Sequence, residues 1–475
     1  MPYAHRPIHD ADSHFMETPE WFHAFADSEL RARLPPVFVA TVGPGEERGI
    51  SHFRARHADP AYRAEDEAKL LLRKNWAATG SFLKEDRPRA LDLQGFETQL
   101  VFNTFVNGKL LAAERGDDVD FAYGFARAHN RSMLDFCSVD RRLLGTGYVP
   151  LRDFARSRAM AAEVIEMGMA ALLVPSGCPR GHAPSHVGLD PVWAQAQEAA
   201  LPIVFHVGGG LRFADGRLLD REYFENGGPP VPDFHGGDGN FRSVDYMAIP
   251  TAPMQTLATL IFDGVLERFP RLRFGVIEQG ASWVPSWMRY MDSAFDAFRR
   301  REERLQKLSL RPGEYVRRQI RATPYPAEDV GWIVREAGAE VCLFSSDYPH
   351  VEGGRNPIKR FEESLADASE AEKQRFYHDN FVDLMGSGLA RAGATPRAKR
   401  RQRCAEPERS GRRSRRRRGP AGAGAGGAGC SASAPWPAWA CSRRRCRAAA
   451  PTARRASSRS SSRSSSSASR RSRPT

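Results

Sequence analysis

The sequence predicts an α/β protein: a (β/α)8 barrel of the TIM type, with an inserted cap segment and a disordered basic C-terminal tail. Three observations predict it. Short apolar runs rich in β-branched residues alternate with amphipathic stretches from about residue 98 onward. With the opening "PIHDADSH", eight such runs occur. No GxGxxG motif follows any of them, and "GTG" at 145–147 lies inside a run, which argues against an open dinucleotide-binding sheet. Strands that alternate with helices pair in parallel through right-handed crossovers. Eight regular units favour a closed cylinder over an open sheet.

The strands are expected near 8–13, 98–102, 143–149, 170–175, 202–207, 272–278, 318–323 and 341–346. Helical spacing fills the intervals, at about 117–140, at "FARSRAMAAEVIEMG", at 190–200 with Asp190 as cap and Pro191 in the first turn, at 253–268, at 284–304 and at "AEDVGWIVREAG". Residues 19–97 are too long for one crossover and imply a cap inserted at about 30–97. A Gly/Pro-rich excursion runs over about 210–250. The barrel is placed at 1–390.

Residues 391–475 read differently. They hold 24 Lys+Arg against 2 Asp+Glu, whereas residues 1–390 hold 46 against 55. The net charge of +13 therefore belongs to the tail. "RRSRRRR", "AGAGAGGAG" and "SSRSSSSASRRSR" cannot bury a core and predict disorder. The tail reads either as a nucleic-acid or phosphate binder, or as a non-functional extension such as an out-of-frame reading of a GC-rich gene end. The lack of aromatic interleaving favours the extension. The acidic body is not expected to bind nucleic acid. No CxxC pair occurs, so neither a zinc ribbon nor a disulfide scaffold is indicated. The opening "MPYAHRPIHDADSH" has no apolar h-region, and no apolar run reaches the ~18 residues of a membrane span. The expectation is a cytoplasmic protein with no membrane partner.

In a parallel barrel the reactive groups gather at the carboxyl ends of the strands. Strand one ends in Asp12, Ser13 and His14, and the two-residue spacing puts Asp12 and His14 on one face. Strand five ends in His206, strand six in Glu278, and strand eight in Asp347, followed by Tyr348, Pro349 and His350. Each alone has an ordinary reading: a hydrogen-bonded histidine, a loop cap, an arginine's partner. Together they bring imidazoles and carboxylates to one mouth, a donor set suited to a catalytic Zn²⁺ or Mn²⁺.

The order "DADSH" … "FHVGG" … "GVIEQGASWVP" … "FSSDYPHVEGG" resembles the amidohydrolase-related family (amidohydrolase family 2), over roughly residues 7–387. The resemblance implies a metal-dependent hydrolase or a non-oxidative decarboxylase of aromatic or related carboxylates. It implies one divalent metal, zinc first and manganese second, held by Asp12, His14, His206 and Asp347. Many relatives carry a histidine on strand six, where this chain has Gln279 with Glu278 beside it. Either Glu278 replaces that imidazole or the metal site is altered. The resemblance also implies a homodimer.

Asp347 is the expected general base or proton shuttle, with His206 as its catalytic companion. The substrate is expected to be a small aromatic or cyclic carboxylate. His350, Arg355, Arg180 and His182 are candidate substrate contacts. The loop "PRGHAPSH" that carries Arg180 and His182 follows strand four on the productive face, and solvated charge is its other reading. Trp283 and Trp287 read as packing. A competing function is a catalytically inactive barrel that binds, with the basic tail engaging nucleic acid.

Overall fold

Seven of the eight apolar runs form strands of one parallel sheet. They are β1 (His9–Phe15), β2 (Thr98–Asn103), β3 (Leu143–Tyr148), β4 (Ala171–Leu173), β5 (Ile203–His206), β6 (Phe274–Ile277) and β7 (Ile320–Ala322), in that spatial order. Every neighbouring pair is parallel. All the strand residues except Thr98 are buried, as parallel strands flanked by helices require. This computed structural model describes residues 3–18, 20–34, 44–210, 218–229 and 243–391. The chain divides into two units, 1–401 and 402–475, and the described residues belong to the first. The tail expectation falls on residues 392–475, outside the described residues.

The eighth run, 341–346, departs from the expectation, because it is not a regular strand. Its backbone nevertheless bonds to both edges of the sheet. The Leu343 N–H donates to the Ala322 carbonyl of β7 at 3.0 Å, and the Ala11 N–H of β1 donates to the Phe344 carbonyl at 3.0 Å. The Asp347 N–H then donates to the Asp12 carbonyl at 2.9 Å. The ladder breaks because the Ser346 N–H goes to the Asp10 carboxylate, at 2.8 Å, and not to a strand carbonyl. The sheet curls in the manner of a TIM-like barrel.

Helices cover the sheet where the apolar spacing placed them. Val119–Cys137, Phe154–Glu166, Val330–Ala337 and Pro357–Ser364 are capped by the side chains of Asp118, Asp153, Asp329 and Asn356. "GTG" serves packing: a Cβ on Gly147 would lie 2.5 Å from Val164, so glycine lets the helix Phe154–Glu166 sit close on β3. Three boundaries differ from the sequence reading. Asp190 lies inside the helix Asp190–Glu198, because a 3-10 turn at Val187–Leu189 leads into it and makes Leu189 the cap. The 253–268 helix breaks into Thr251–Phe262 and Val265–Arg268 at Gly264, whose φ is +73°. The helix from Val284 ends at Phe298.

The insertion after β1 packs against the carboxyl end of the sheet. Leu70, Leu71, Ala78 and Ala90 bury Tyr348, whose hydroxyl donates to the Thr79 carbonyl at 2.7 Å. The Asn75 N–H donates to the Pro349 carbonyl at 3.0 Å. Among the described residues no helix is long and apolar enough to cross a membrane.

One buried carboxyl gives the fold a pH signature. Glu114 is 1% exposed and accepts from the Tyr148 hydroxyl and the Leu151 N–H, each at 2.8 Å. Burial pushes it from 4.5 up to about 7. A carboxyl raised in the folded state binds its proton more tightly there than in the unfolded chain. Its stabilisation is full below pH 4.5 and is lost as pH rises through about 7. The expected outcome is a fall of about 3 kcal/mol across that window from this group. Glu114→Gln, which keeps an acceptor for Leu151, should flatten that slope in urea unfolding series at graded pH.

Candidate functional site

The carboxyl ends of β1, β5 and β6 and the eighth run deliver their polar side chains to one place. Asp12, His14, His206 and Glu278 each offer a ligand atom, and these atoms all lie within 4.8 Å of one another. His14, Glu278, Asp347 and His350 form a second, overlapping set. His14 Nε2 is 3.1 Å from Asp12 Oδ1 and 3.5 Å from both Glu278 Oε2 and Asp347 Oδ1. His206 Nε2 is 3.1 Å from Glu278 Oε2 and 3.5 Å from Asp12 Oδ1.

The other ring nitrogens explain the orientation of both imidazoles. His14 Nδ1 contacts the Asn103 carbonyl at 2.8 Å and His206 Nδ1 contacts the Val207 carbonyl at 3.1 Å. A carbonyl can only accept, so each Nδ1 carries a proton, and in the neutral imidazole each Nε2 presents a lone pair to the cluster. Asp12 Oδ1, His14 Nε2, His206 Nε2 and Asp347 Oδ2 are buried and have no hydrogen-bond partner. The short nitrogen–oxygen approaches thus lack hydrogen-bond geometry. In that form the converging lone pairs are what a shared cation would satisfy, so the donor set fits a divalent metal.

Two of the acids sit on strained backbone. Glu278 and Asp347 have φ of 55° and 51°, in the left-handed region that favours glycine. Glu278 is held there at both ends of its peptide unit: its N–H donates to Thr323 Oγ1, and its carbonyl accepts from the Tyr325 hydroxyl, each at 2.8 Å. His350 Nδ1 holds Asp347 Oδ1 at 2.8 Å.

Electrostatics agree with a site short of positive charge. Burial, reinforced by Glu278 and Asp12, pushes the Asp347 carboxyl well above the usual carboxylate range. Burial and the charge of His14 hold His350 well below the usual imidazole value. Burial alone would lower His14 and His206, but Asp12 and Glu278 overcome it and raise both.

Beneath the cluster lies a second layer that the strand-end reading missed. Asp10, fully buried, accepts from the Ser346 N–H at 2.8 Å, the Ser346 hydroxyl at 2.6 Å and Gln99 Nε2 at 3.0 Å. Arg87, from the insertion and also fully buried, donates to the His14 carbonyl at 2.8 Å and to Gln99 Oε1 at 3.2 Å. Glu17 accepts from the N–H groups of Thr104 and Phe105, and Thr104 Oγ1 lies 3.0 Å from His350 Nε2. The period-two spacing of Asp10 with Asp12 and His14 was the one sequence signal for this layer.

The expected substrate contacts divide. His350 joins the cluster, with both ring nitrogens engaged by Asp347 and Thr104. Arg355 is exposed on the loop after the eighth run. Arg180 and His182 turn elsewhere. Arg180 bonds to Asp117 and to the carbonyls of Arg115 and Gly116, and His182 contacts the Ala183 and Arg152 carbonyls. Gln279 is buried with its side-chain nitrogen unpartnered. Trp283 and Trp287 pack against each other, with ring centroids 5.2 Å apart. A void of about 10 Å³ opens beside Asp12, Glu278 and Asp347. A larger cavity of about 630 Å³ lies between the loops after β4 and β5 and the helix Thr251–Phe262, and no cluster residue lines it.

A family model described as amidohydrolase matches residues 10–384. The chain belongs to the amidohydrolase family. An amidohydrolase from Mycobacterium avium subsp. paratuberculosis K-10 superimposes with a TM-score of 0.58 at 22% identity, over 81% of this chain and 100% of that one. A 5-carboxyvanillate decarboxylase from Novosphingobium aromaticivorans, complexed with manganese and 4-hydroxy-3-methoxy-5-nitrobenzoic acid, gives 0.53 at 16% identity, over 80% and 96%. A dihydroxybenzoic acid decarboxylase from Polaromonas sp. JS666, with manganese and 2-nitroresorcinol, gives 0.52 at 16% identity, over 80% and 97%. At these identities the likeness is one of fold. No functionally curated protein matches the chain.

The second layer has a measurable role. Asp10→Ala would leave the Ser346 and Gln99 donors buried without an acceptor. The expected loss is about 3 kcal/mol of stability in urea unfolding, with Asp10→Asn losing less.

Proposed function

We propose that the protein is a divalent-metal carboxy-lyase that releases CO₂ from small aromatic carboxylates. The observation that carries the metal reading is the convergence of buried, unpartnered atoms of Asp12, His14, His206 and Asp347 around Glu278. Asp12, His14, His206 and Glu278 are the proposed ligands, with Glu278 replacing the imidazole that many relatives carry at the neighbouring position, here Gln279. Two carboxylates beside two imidazoles bring hard oxygen donors to the site, and Asp347 adds a third carboxyl next to them, which moves manganese ahead of zinc. The decarboxylase branch is supported by the structural neighbours that hold manganese with hydroxylated, nitro-substituted aromatics.

A divalent ion held by these residues would act as a Lewis acid toward substrate oxygens. The protein's own groups do the rest. His350 Nδ1 fixes Asp347 Oδ1, which leaves Oδ2 as the atom free to move a proton. In decarboxylation Asp347 Oδ2 gives its proton to the ring carbon. The bond to the carboxylate then breaks, its electron pair stays with the ring, CO₂ leaves, and solvent returns a proton to Asp347. His206 serves as a ligand and not as an acid, since its Nδ1 proton is directed to the Val207 carbonyl. Arg355 remains a proposed substrate contact, while His350 positions Asp347, since both its ring nitrogens are engaged. Arg180 and His182 are withdrawn, because their polar atoms are engaged with loop backbone and Asp117.

The test pairs metal analysis with a substrate panel on the full chain. Wild type should retain at least one manganese per chain after gel filtration, and His206→Ala should retain less than a tenth of that. Hydroxybenzoates should release CO₂. Turnover of lactones or amides with no CO₂ from any aromatic acid would assign the protein to the hydrolase branch instead.

A further inference from the structure

We propose that Glu328 is a positioning residue: it braces the turn after β6 and so holds Glu278 in the pose that faces the imidazoles. This role rests on the metal-centre reading above, in which Glu278 is a ligand. Glu328 itself belongs to neither set of converging ligand atoms, so it acts through Glu278.

Glu278 opens a turn that the backbone resists. Its φ is 55°, and Gly280 further along has a φ of 69°. A residue with a side chain tends to leave the left-handed region unless its surroundings hold it there. Leaving it would swing the Glu278 carboxylate away from His206 Nε2 and His14 Nε2, which lie 3.1 and 3.5 Å from Oε2. The Thr323 hydroxyl and the Tyr325 hydroxyl hold the Glu278 peptide unit, each at 2.8 Å. That hold works only if both residues stand still. Thr323 is fixed to the sheet, because its N–H donates to the Val276 carbonyl of β6 at 3.0 Å. Tyr325 lies further out, on the loop after β7, and needs a hold of its own.

Glu328 supplies it. Its Oε2 accepts from the Tyr325 N–H at 2.7 Å and from the Ala281 N–H at 3.0 Å, and its Oε1 accepts from the Ser282 N–H at 2.8 Å. One carboxylate thus ties the Tyr325 loop to the far end of the Glu278 turn. The Tyr325 hydroxyl on the Glu278 carbonyl closes the ring. Ala281 and Ser282 lead into the helix Val284–Phe298, so the anion also sits near that helix's positive end. Gly280 shows how closely the parts fit: a Cβ there would lie 3.1 Å from the Tyr325 ring and 3.2 Å from Glu328 Oε1. An ordinary loop staple would use the same bonds. The two roles separate in one respect, because a staple supports the whole loop, whereas a positioning residue matters to the metal only while Glu278 is there to be positioned.

Manganese affinity is the readout. Full-length protein is stripped with chelator and titrated with Mn²⁺, and the free ion is followed by electron paramagnetic resonance. Glu278→Ala, Glu328→Ala and the double variant form a cycle, with folding checked by circular dichroism in chelator. Removing a contact that orients a ligand costs about 10- to 100-fold in metal affinity. Glu328→Ala is expected to weaken manganese by that factor in the otherwise wild-type chain, and by less than about twofold when Glu278 is already alanine. Tyr325→Phe, which removes only the hydroxyl on the Glu278 carbonyl, should also weaken manganese and add little to Glu328→Ala. Should Glu328→Ala not fold, Glu328→Gln, which keeps one acceptor oxygen, takes its place in the cycle with the same directions expected. Equal weakening with and without Glu278 would make Glu328 a general staple and overturn the proposal, and so would wild-type affinity in the Glu328 variant or in Tyr325→Phe. Wild type that binds no manganese, or binds it no more tightly than Glu278→Ala, would remove the ligand reading and this role with it.

Discussion

The arrangement depends on one electrostatic constraint. Asp12, Glu278 and Asp347 are gathered, largely out of water, at the carboxyl end of the sheet beside the imidazoles of His14 and His206. Carboxylates in such a place must be protonated, paired or bound to a cation. Burial and its acidic neighbours raise the Asp347 carboxyl, which favours its protonated form. Hydrogen bonding does not meet the need, since Asp12 Oδ1, His14 Nε2, His206 Nε2 and Asp347 Oδ2 are buried without a partner. A divalent cation is the remaining partner that meets every one of these atoms at once.

That constraint explains features that look separate. The left-handed backbone at Glu278 and Asp347 runs against ordinary side-chain sterics, and the fold holds it with the Thr323 and Tyr325 side chains, the Asp12 carbonyl and His350. The loss of regular strand in the eighth run follows from Asp10 taking the Ser346 N–H. The ladder is given up at the point where Asp347 must turn toward the cluster. Arg87, brought from the insertion into a fully buried position, ties the His14 carbonyl to Gln99 and through it to Asp10. The insertion is therefore part of the machinery that aims the first-strand ligands as well as a cover for Tyr348.

Much of the fold was legible because parallel strands buried on both faces must be continuously apolar, and such runs stand out at 98–102, 143–148 and 203–206. The eighth was legible as a position but not as an irregular segment, since nothing in "EVCLFSSD" shows that a carboxylate some 330 residues earlier will take its amide. The helix end at Phe262 was set by a left-handed glycine, Gly264, that periodicity does not see. Asp12, His14, His206, Glu278 and Asp347 were readable because strand ends in this architecture converge. Gln99, Arg87, Glu17 and Thr104 were not, because their roles come from contacts between the insertion, β2 and β1 that carry no local pattern. Arg180 and His182 bond to loop backbone and Asp117, which the sequence does not show, because a loop on the right face of the sheet need not point inward.

The most direct measurement is anomalous diffraction from crystals grown with Mn²⁺, with data at the manganese edge. A peak at coordination distance, about 2.0–2.2 Å for nitrogen and oxygen ligands, from His14 Nε2, His206 Nε2 and the carboxylates of Asp12 and Glu278 is the predicted result. Density showing those four side chains bonded only to one another or to water, with manganese elsewhere or nowhere, would contradict it.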